Sequence, residues 1–429
     1  QGRFRADLLH RLDVVRLRNL YSDESLPHAA GPSGELARTE PAPAPPGLPQ
    51  RRDTTHYGMR VADNILLPLL SKLEQSAQYR QRQQAVSAWN QDNRIIKRGL
   101  ALTPVKFGIS FTATLFNQAG ALVHVYTDGS VLVNHGGTEM GQGLNTKVAQ
   151  IVADELGLPL ARVRCSAADT DKIPNASATA ASAGTDLNGR AAQLAARQVR
   201  QRLAALVGEL DGCAAEAVGF VDGQVASPGS RRSFEALVKI AYARRIQLWS
   251  DGFYRTPVIH YDKTTLSGQP FYYFAYGAAC SEVALDCLTG ESRLLRVDIL
   301  HDVGRSINPA LDRGQIEGGF VQGLGWLTTE QLVWDAAGRL ATHAPSSYKI
   351  PTAGDLPAHF AVALWDEPNR ADNVLGSKAV GEPPLMLAIS VYEALRQALA
   401  AASGSAQVVL RAPAMPEHLL AALGGILGE

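Results

Sequence analysis

One acidic residue near the end of the chain is the first candidate for chemistry. Glu382 lies between Gly381 and the pair Pro383–Pro384, and the apolar residues that follow recur at helical spacing, which predicts a helix that begins here. Proline suits the first turn of a helix, because the N–H that it lacks would have no partner there. Glu382 is therefore expected just before a helix, either as a cap stabilised by the helix dipole or as a general base.

Four further segments are richer in glycine and amide side chains than ordinary connections, and we interpret them as loops around a ligand. They are residues 136–143, 179–189, 318–325 and 376–382. Glycine lets backbone N–H groups approach an anion, and a loop that opens a helix adds the helix dipole. Gln142 and Gln322 lie in such settings, and their amides offer donors and acceptors together, which suits a flat heterocycle with polar edges.

Two other segments allow both a structural and a functional interpretation. Residues 176–185 are nearly all small; they predict either a tight packing patch or exposed loop, or a wall that a bulky group must approach closely. Phe111 and Thr112 are neighbours in sequence. In a regular strand they would face opposite sides, so both can line one pocket only if the backbone there is irregular.

Several common sites are disfavoured. Gly141–Gln142–Gly143 begins a dinucleotide fingerprint, but Thr146 stands where its third glycine belongs, and a lone GxG is weak evidence. No P-loop or GxSxG motif occurs. The four cysteines form no CxxC pair, which argues against an iron–sulfur cluster or a structural zinc site in this chain. His124 and His135 form no compact metal-ligating set.

Composition narrows the class of protein. Lys+Arg and Asp+Glu both number 41 among 429 residues, which argues against non-specific nucleic-acid binding. The apolar runs are short for a membrane span, and the first residues lack the apolar core of a signal peptide. We therefore expect a cytoplasmic protein that binds neither nucleic acid nor a membrane.

The elements that must position these residues follow a repeated pattern. Hairpins are predicted around 127–129, 288–291 and 337–338, and helices from Leu144 and from Arg190. This pattern predicts an α+β fold of two β-hairpin-plus-helix halves, 99–260 and 261–429, with a ligand between them. Upstream we expect a partly irregular N-terminal extension over 1–60, with a short helix at 4–18 and a Pro-rich linker at 41–46, and then a helical connector over 61–98.

Together these motifs resemble the molybdenum hydroxylase family, most closely its xanthine dehydrogenases, over residues 98–401. The motifs that carry the resemblance are LTPVKFGISFT at 102–112, GGTEMGQG at 136–143, TAAS at 179–182, DLNG at 186–189, YKIP at 348–351 and GSKAVGEPPL at 376–385. The resemblance implies the fold of a molybdenum-cofactor-binding domain. It also implies hydroxylation of hypoxanthine and xanthine towards urate.

The resemblance also implies roles for individual residues. Glu382 matches the family's catalytic base. Phe111 and Thr112 match the pair that lines the purine site, and Ala180 matches a small residue beside the substrate. The residues that match those holding the molybdopterin cofactor are Gly141, Gln142, Ala181, Ser182 and Gln322, with the backbone of Ala181 next to the molybdenum.

The family pattern is present only in part. Its molybdenum subunits carry another, preceding half with further substrate contacts, and the 2Fe-2S clusters and FAD are expected on other domains or subunits, with NAD as the electron acceptor. The resemblance therefore implies a hetero-oligomer, and either a fragment or a naturally split subunit. Three functions stay open: a xanthine dehydrogenase portion, a related hydroxylase of aldehydes or other N-heterocycles, and a non-catalytic fragment.

Overall fold

The structure, a computed structural model, describes residues 53–427, with side chains up to residue 424. The helix predicted at 4–18, the Pro-rich linker at 41–46 and most of the 1–60 extension lie outside the described residues.

The strands are numbered in chain order, and most of them belong to two four-stranded sheets. They are β1 Ile96–Ile109, β2 Gln118–Val125, β3 Val131–His135, β4 Val163–Cys165, β5 Gly219–Val221, β6 Gln224–Ser227, β7 Ser230–Ser233, β8 Trp249–Arg255, β9 His260–Asp262, β10 Ser267–Gln269, β11 Tyr273–Asp286, β12 Ser292–Asp302 and β13 His359–Trp365.

The helices are numbered in the same way. They are α1 Leu66–Ser76, α2 Tyr79–Asp92, α3 Leu144–Leu156, α4 Arg190–Asp211, α5 Phe234–Ala243, α6 Pro309–Thr328, α7 Ile389–Ser403 and α8 Pro416–Leu427. Two tighter or wider turns matter for the site. A π-helical turn, Thr185–Gly189, runs directly into α4, and a 3₁₀ turn, Pro383–Ala388, runs directly into α7.

The first sheet has the strand order β1–β11–β12–β13, with β12 and β13 parallel and the other pairs antiparallel. Helix α7 covers one face of it through the buried residues Val391, Leu395 and Leu399. The approach is close at Gly99 of β1, where a Cβ atom would lie 1.8 Å from the carbonyl oxygen of Ala394. Glycine is therefore the residue that lets this helix rest on the strand.

The second sheet has the strand order β4–β3–β2–β8. Helices α3 and α4 cover it and bury Val123, Val133, Val152 and Leu203 in one apolar cluster. Alternate residues of β2 are buried, which is the period-2 pattern of a strand with one face on the core. The two small sheets β5–β6–β7 and β9–β10 lie outside these layers. The predicted α+β class is confirmed.

Strand pairing crosses the expected boundary at residue 260. Strand β1 lies in the first predicted half, yet it pairs along its whole length with β11 of the second, from Ile96 opposite Asp286 to Ile109 opposite Tyr273. The segments 99–260 and 261–429 therefore share a sheet, and their division into two halves of one domain stays a prediction.

One sequence interpretation is corrected. The segment 318–325 is helical, inside α6, and its glycines permit packing: a Cβ at Gly323 would lie 2.3 Å from the carbonyl oxygen of Leu385. The segment expected as a helical connector, 61–98, contains α1 and α2, which are separated at Gln78 by a left-handed φ of 54°.

One stretch, Pro383–Ser403, is long and apolar enough to cross a membrane when judged by length and composition alone. It contains α7, the helix that packs on the first sheet with Leu395 and Leu399 almost fully buried. An apolar helix in a protein core has the same composition.

Candidate active site

Glu382 occupies the position that the sequence predicts, immediately before Pro383 and the turn that leads into α7. Its side chain is half-buried and accepts no capping hydrogen bond from that turn. The Ser182 hydroxyl donates to Glu382 Oε2 at 2.9 Å, and the backbone N–H of Glu382 donates to Ser182 Oγ at 2.8 Å. The carboxylate is thus held by a neighbouring segment rather than used as a helix cap.

The segment that holds Glu382 has an uncommon backbone. Ala181 and Ser182 have left-handed φ values of 56° and 57°, which non-glycine residues rarely adopt and which tend to occur at functional sites. Across from them, a Cβ at Gly381 would lie 3.0 Å from Ser182 Oγ. Glycine at 381 therefore leaves the space that the Ser182 hydroxyl fills.

A cavity of about 290 Å³ lies beside this pair. Five of the predicted site residues line it: Gln142, Ala180, Ala181, Ser182 and Glu382. The structure therefore brings together residues from three of the four glycine-rich segments.

The other predicted residues lie outside the cavity lining. Gly141 precedes Gln142 at a φ of 96°. Gln322 is exposed on α6. Phe111 and Thr112 follow the end of β1, and Ser110 between them and the strand has a φ of 147°. Phe111 and Thr112 could line one pocket only if the backbone near them were irregular. The backbone is irregular at Ser110, directly before them.

An asparagine side chain fixes the Phe111 segment. The Asn117 amide accepts from the N–H of Phe111 and donates to its carbonyl oxygen, both at 2.8 Å, and the Phe111 ring meets Phe116 edge-on at 5.6 Å. Phe111 and Thr112 are both half-buried. Their assignment to a substrate site stays a prediction.

The loop at 136–143 satisfies its own polar groups. The Glu139 carboxylate accepts from the N–H groups of Gly141, Gly143 and Asn145, each at 2.9 Å, at the start of α3. Partial burial opposes ionisation of Glu139, but these backbone donors outweigh it and hold its pKa below the ordinary value. The negative charge at this helix start is therefore supplied by the chain's own Glu139. This residue was not identified from the sequence.

Gln142 is bound to the same loop. Its side-chain nitrogen donates to the Thr138 carbonyl at 2.9 Å, and its oxygen accepts from the N–H of Met140. Gln142 lines the cavity with its amide already oriented by the loop backbone.

Asp186 is a second acid that sequence reasoning missed. It lines the cavity and is buried. The Tyr273 hydroxyl donates to it at 2.6 Å and the Asn373 amide at 2.8 Å. Burial raises the pKa of Asp186 to about 6, against the effect of these two donors and of Lys147. The sequence feature that could have identified Asp186 is the presence of an acid in residues 185–189, a polar stretch directly before a helix.

Two lysines that line the cavity, Lys147 and Lys378, each form a buried ion pair. Lys147 pairs with Asp312, which also accepts from Ser306 Oγ at 2.5 Å. Lys378 pairs with Asp302 at 2.6 Å and lies 3.9 Å from Asp63. Burial raises the pKa of Asp302 although Lys378 opposes the shift. Buried charges are normally paired in this way.

Two backbone donors lie in the strained segment that lines the cavity. Within residues 53–427, the N–H groups of Ala181 and Ser182 meet no protein acceptor, although Ala181 is only 2% exposed. Buried unpaired N–H groups are rare in proteins, and successive N–H groups in turn conformations form anion-binding concavities. These two groups therefore fit a ligand that presents oxygen or nitrogen acceptors.

The described residues hold no group of three or more His, Cys, Asp or Glu side chains arranged to bind a metal ion. Burial raises the pKa of the Cys165 thiol to about 11 and that of Cys280 to about 12, so neither is a ready thiolate.

The chain is similar to several known proteins. A family model described as the molybdopterin cofactor-binding domain matches residues 72–357. The chain is 43% identical over 371 residues to a xanthine dehydrogenase/oxidase of Gallus gallus, covering 86% of this chain and 26% of that protein. The Felis catus counterpart is 44% identical over 374 residues, covering 86% and 27%.

A solved structure shows the same fold. Quinoline 2-oxidoreductase from Pseudomonas putida 86 matches with a TM-score of 0.75 and 26% identity, over 86% of this chain and 47% of that one. The chain spans about a quarter of the length of the curated relatives it matches. With two thirds of its residues matched by the family model, the chain belongs to the molybdopterin cofactor-binding domain family.

Proposed function

We propose that this chain forms the molybdenum-cofactor-binding portion of a xanthine dehydrogenase-like hydroxylase, in which Glu382 is the general base for hydroxylation of hypoxanthine and xanthine. The observation that carries the proposal is the Ser182–Glu382 pair on the cavity wall. A carboxylate that is held by a hydroxyl and does not cap its own helix is available to accept a proton. General-base catalysis contributes on the order of 10²–10⁴-fold to a rate.

The residues around the cavity fit the pterin part of a molybdenum cofactor. The N–H groups of Ala181 and Ser182 would donate to its acceptors, and Gln142 would offer amide contacts from the opposite loop. Ala180 and Ala181 leave room for close approach of the metal and the substrate. When bound, the cofactor would supply the two-electron redox chemistry of the hydroxylation. We keep Gly141 and Gln322 as proposed contacts, although neither lines the cavity.

The proposed purine specificity rests on Phe111 and Thr112. An aromatic ring and a hydroxyl on one irregular segment can pack against a purine and bond to its polar edge. The preceding half of the molybdenum subunit would bring its own substrate contacts to these residues. Iron–sulfur clusters and FAD on other domains or subunits would carry electrons to NAD, in a cytoplasmic hetero-oligomer.

A second candidate is hydroxylation of another N-heterocycle or of an aldehyde. It is favoured by the position of Phe111 and Thr112 outside the cavity lining, and by the similarity to quinoline 2-oxidoreductase. Comparison of kcat/KM for xanthine, a quinoline and an aromatic aldehyde in the complete, metal-loaded protein separates the two candidates.

The test of the proposed function is Glu382→Gln in the complete, metal-loaded protein. Glutamine keeps the shape and can accept the Ser182 hydrogen bond, but it cannot take a proton. We expect turnover per bound molybdenum to be abolished with molybdenum content and melting temperature unchanged. Near-normal turnover in a metal-replete variant would contradict the assignment, and loss of stability without loss of rate would indicate a structural role.

A further inference from the structure

Two hydrogen-bonded bridges join residues 179–189 to residues 376–382, and both segments line the cavity. The first is the Ser182–Glu382 pair. The second is the Tyr273 hydroxyl, which donates to Asp186 Oδ2 at 2.6 Å and accepts from the N–H of Ala379 at 2.8 Å. Asp186 lies four residues after Ser182, and Ala379 lies three residues before Glu382. The two bridges and the short stretches between them therefore close a ring.

The tyrosine end of the ring is rigid. Tyr273 is the first residue of β11, where it pairs with Ile109 of β1, and its side chain is only 7% exposed. Its hydroxyl has one donor and one acceptor partner, both buried. Strand β11 is thus a fixed point from which one oxygen atom reaches both segments.

A second side chain strengthens the same connection. The Asn373 amide donates to Asp186 Oδ1 at 2.8 Å and to the carbonyl oxygen of Ser377 at 3.0 Å. The Asn369 amide donates to that carbonyl oxygen at 2.9 Å. The Asp186 carboxylate therefore binds the loop 369–382 at two places, through Tyr273 and through Asn373.

We propose that Tyr273 is a positioning residue, whose hydroxyl sets the placement of Glu382 relative to Ser182 by holding Ala379 and Asp186 together. The inference rests on the proposed role of Glu382. Tyr273 acts through the backbone of Ala379, three residues from the carboxylate, and has no part in proton transfer. A displacement of about 1 Å in a reacting group can cost on the order of 10²-fold in rate.

The hydroxyl, rather than the ring, carries this role. Tyr273→Phe keeps the ring and its packing in the strand but leaves the Ala379 N–H and Asp186 Oδ2 without their partner. Buried groups that lose a partner incur the full desolvation penalty. The two segments are therefore expected to shift until other partners are found, and Glu382 moves with them.

The neighbouring tyrosine provides a matched control. The Tyr272 hydroxyl donates to the carbonyl oxygen of Asp372 at 3.0 Å, so it reaches the same loop, but at the end distant from Glu382. Tyr272→Phe also removes one hydroxyl from an aromatic residue at the start of β11. It does not open the ring.

The experiment compares the two variants in the complete, metal-loaded protein. For Tyr273→Phe we expect kcat to fall on the order of 10²-fold with KM within about twofold of the parent value and molybdenum content unchanged. We expect amide hydrogen exchange at Ala379 and Glu382 to accelerate at least tenfold. Tyr272→Phe should leave all four quantities close to those of the parent. If Tyr273→Phe matches its control in kcat and in exchange, the inference is wrong.

A second variant covers the case in which Tyr273→Phe does not fold. Asp186→Asn keeps an oxygen that can accept from Tyr273 but loses the charge that strengthens both bonds. We expect a smaller fall in kcat and faster exchange at Ala379, and unchanged values of both would contradict the inference. Hydrogen exchange also separates this inference from the proposed function. If Glu382→Gln stays active, the proposed function fails, while exchange at Ala379 still reports whether Tyr273 holds the loop.

Discussion

Ser182 and Glu382 are joined by two hydrogen bonds that run in opposite directions. The Ser182 hydroxyl donates to Glu382 Oε2 and accepts from the N–H of the same residue, at 2.9 and 2.8 Å. One hydroxyl therefore fixes both the backbone and the carboxylate of the proposed base. Ser182 makes both bonds from a left-handed backbone conformation.

Ser182→Ala removes both bonds without changing the backbone that the residue must adopt. Hydrogen bonds to charged groups contribute about 1.5–3 kcal/mol, so we expect turnover per bound molybdenum in the complete protein to fall on the order of tenfold to a hundredfold. Ser177→Ala is the control, because its hydroxyl bonds to the Gln118 carbonyl at 3.0 Å on the same loop and away from Glu382. Equal turnover for the two variants would show that Ser182 does not orient the base. A fall in molybdenum content would show that it also holds the cofactor.

Asp186→Asn should change how stability depends on pH. The pKa of Asp186 is raised from 3.8 to about 6 in the folded protein, so its contribution is fully present below pH 4 and is lost as pH rises to about 6. The stability difference, parent minus variant, should fall by about 2 kcal/mol between pH 4.5 and 7. Urea unfolding at the two values measures it.

The control for this titration is Asp335→Asn. Asp335 lies in an exposed turn, where hydrogen bonds from Arg339 lower its pKa. Its pKa lies below pH 4.5 in both the folded and the unfolded states, so the stability difference between parent and variant should stay nearly constant from pH 4.5 to 7. A constant difference for Asp186→Asn as well would mean that Asp186 titrates in the ordinary range.

Glu139→Gln tests whether the glycine-rich loop is capped by its own acid. The Glu139 carboxylate accepts hydrogen bonds from three N–H groups of the loop and helix α3. A glutamine side chain has only one acceptor oxygen. We expect a loss of about 0.5–2 kcal/mol in the free energy of unfolding, towards the lower end because Glu139 is exposed. Glu235→Gln, which breaks an exposed pair with Lys239, should change stability little. No loss on Glu139→Gln would leave the helix start free for an external anion.

Gly323→Ala and Gly318→Ala form a matched pair on α6. A Cβ at Gly323 would lie 2.3 Å from the carbonyl oxygen of Leu385, whereas a Cβ at Gly318 meets nothing within 4 Å. We expect Gly323→Ala to destabilise the protein by about 1–3 kcal/mol, and Gly318→Ala to stabilise it by about 0.5–1 kcal/mol. Thermal unfolding of both variants measures the difference. An unchanged or raised melting temperature for Gly323→Ala would mean that α6 is not pressed against the turn after Glu382.

The chain expressed by itself is not expected to oxidise xanthine. It spans about a quarter of its curated relatives, and the proposed relay of clusters and flavin lies elsewhere. Xanthine-dependent dye reduction, measured with the chain alone and with the complete protein, tests this expectation. Turnover by the chain alone at an enzyme-like rate would overturn it.

Local signals in the sequence predicted several of the elements and part of the site. Apolar spacing and turn residues indicated the turn at 127–129 and the helices from Leu144 and Arg190. They also indicated that Glu382 lies before a helix. Asp186 and Tyr273 were not, because they lie 87 positions apart along the chain and meet only after the sheet has formed. The glycines of α6 suggested a loop, since glycine for close packing and glycine for a turn look alike in a sequence.

The pairing of β1 with β11 has a consequence for synthesis of the protein. Ile96 cannot form its strand pair until Asp286 has been synthesised. Asp286 follows about 190 residues later, which takes roughly 10–40 seconds at ordinary translation rates. Until then β1, fourteen residues long, presents an unpaired edge that can join another nascent chain. Slowed translation between the codons for these two strands should therefore increase aggregation, and a holdase chaperone that covers β1 should restore the yield.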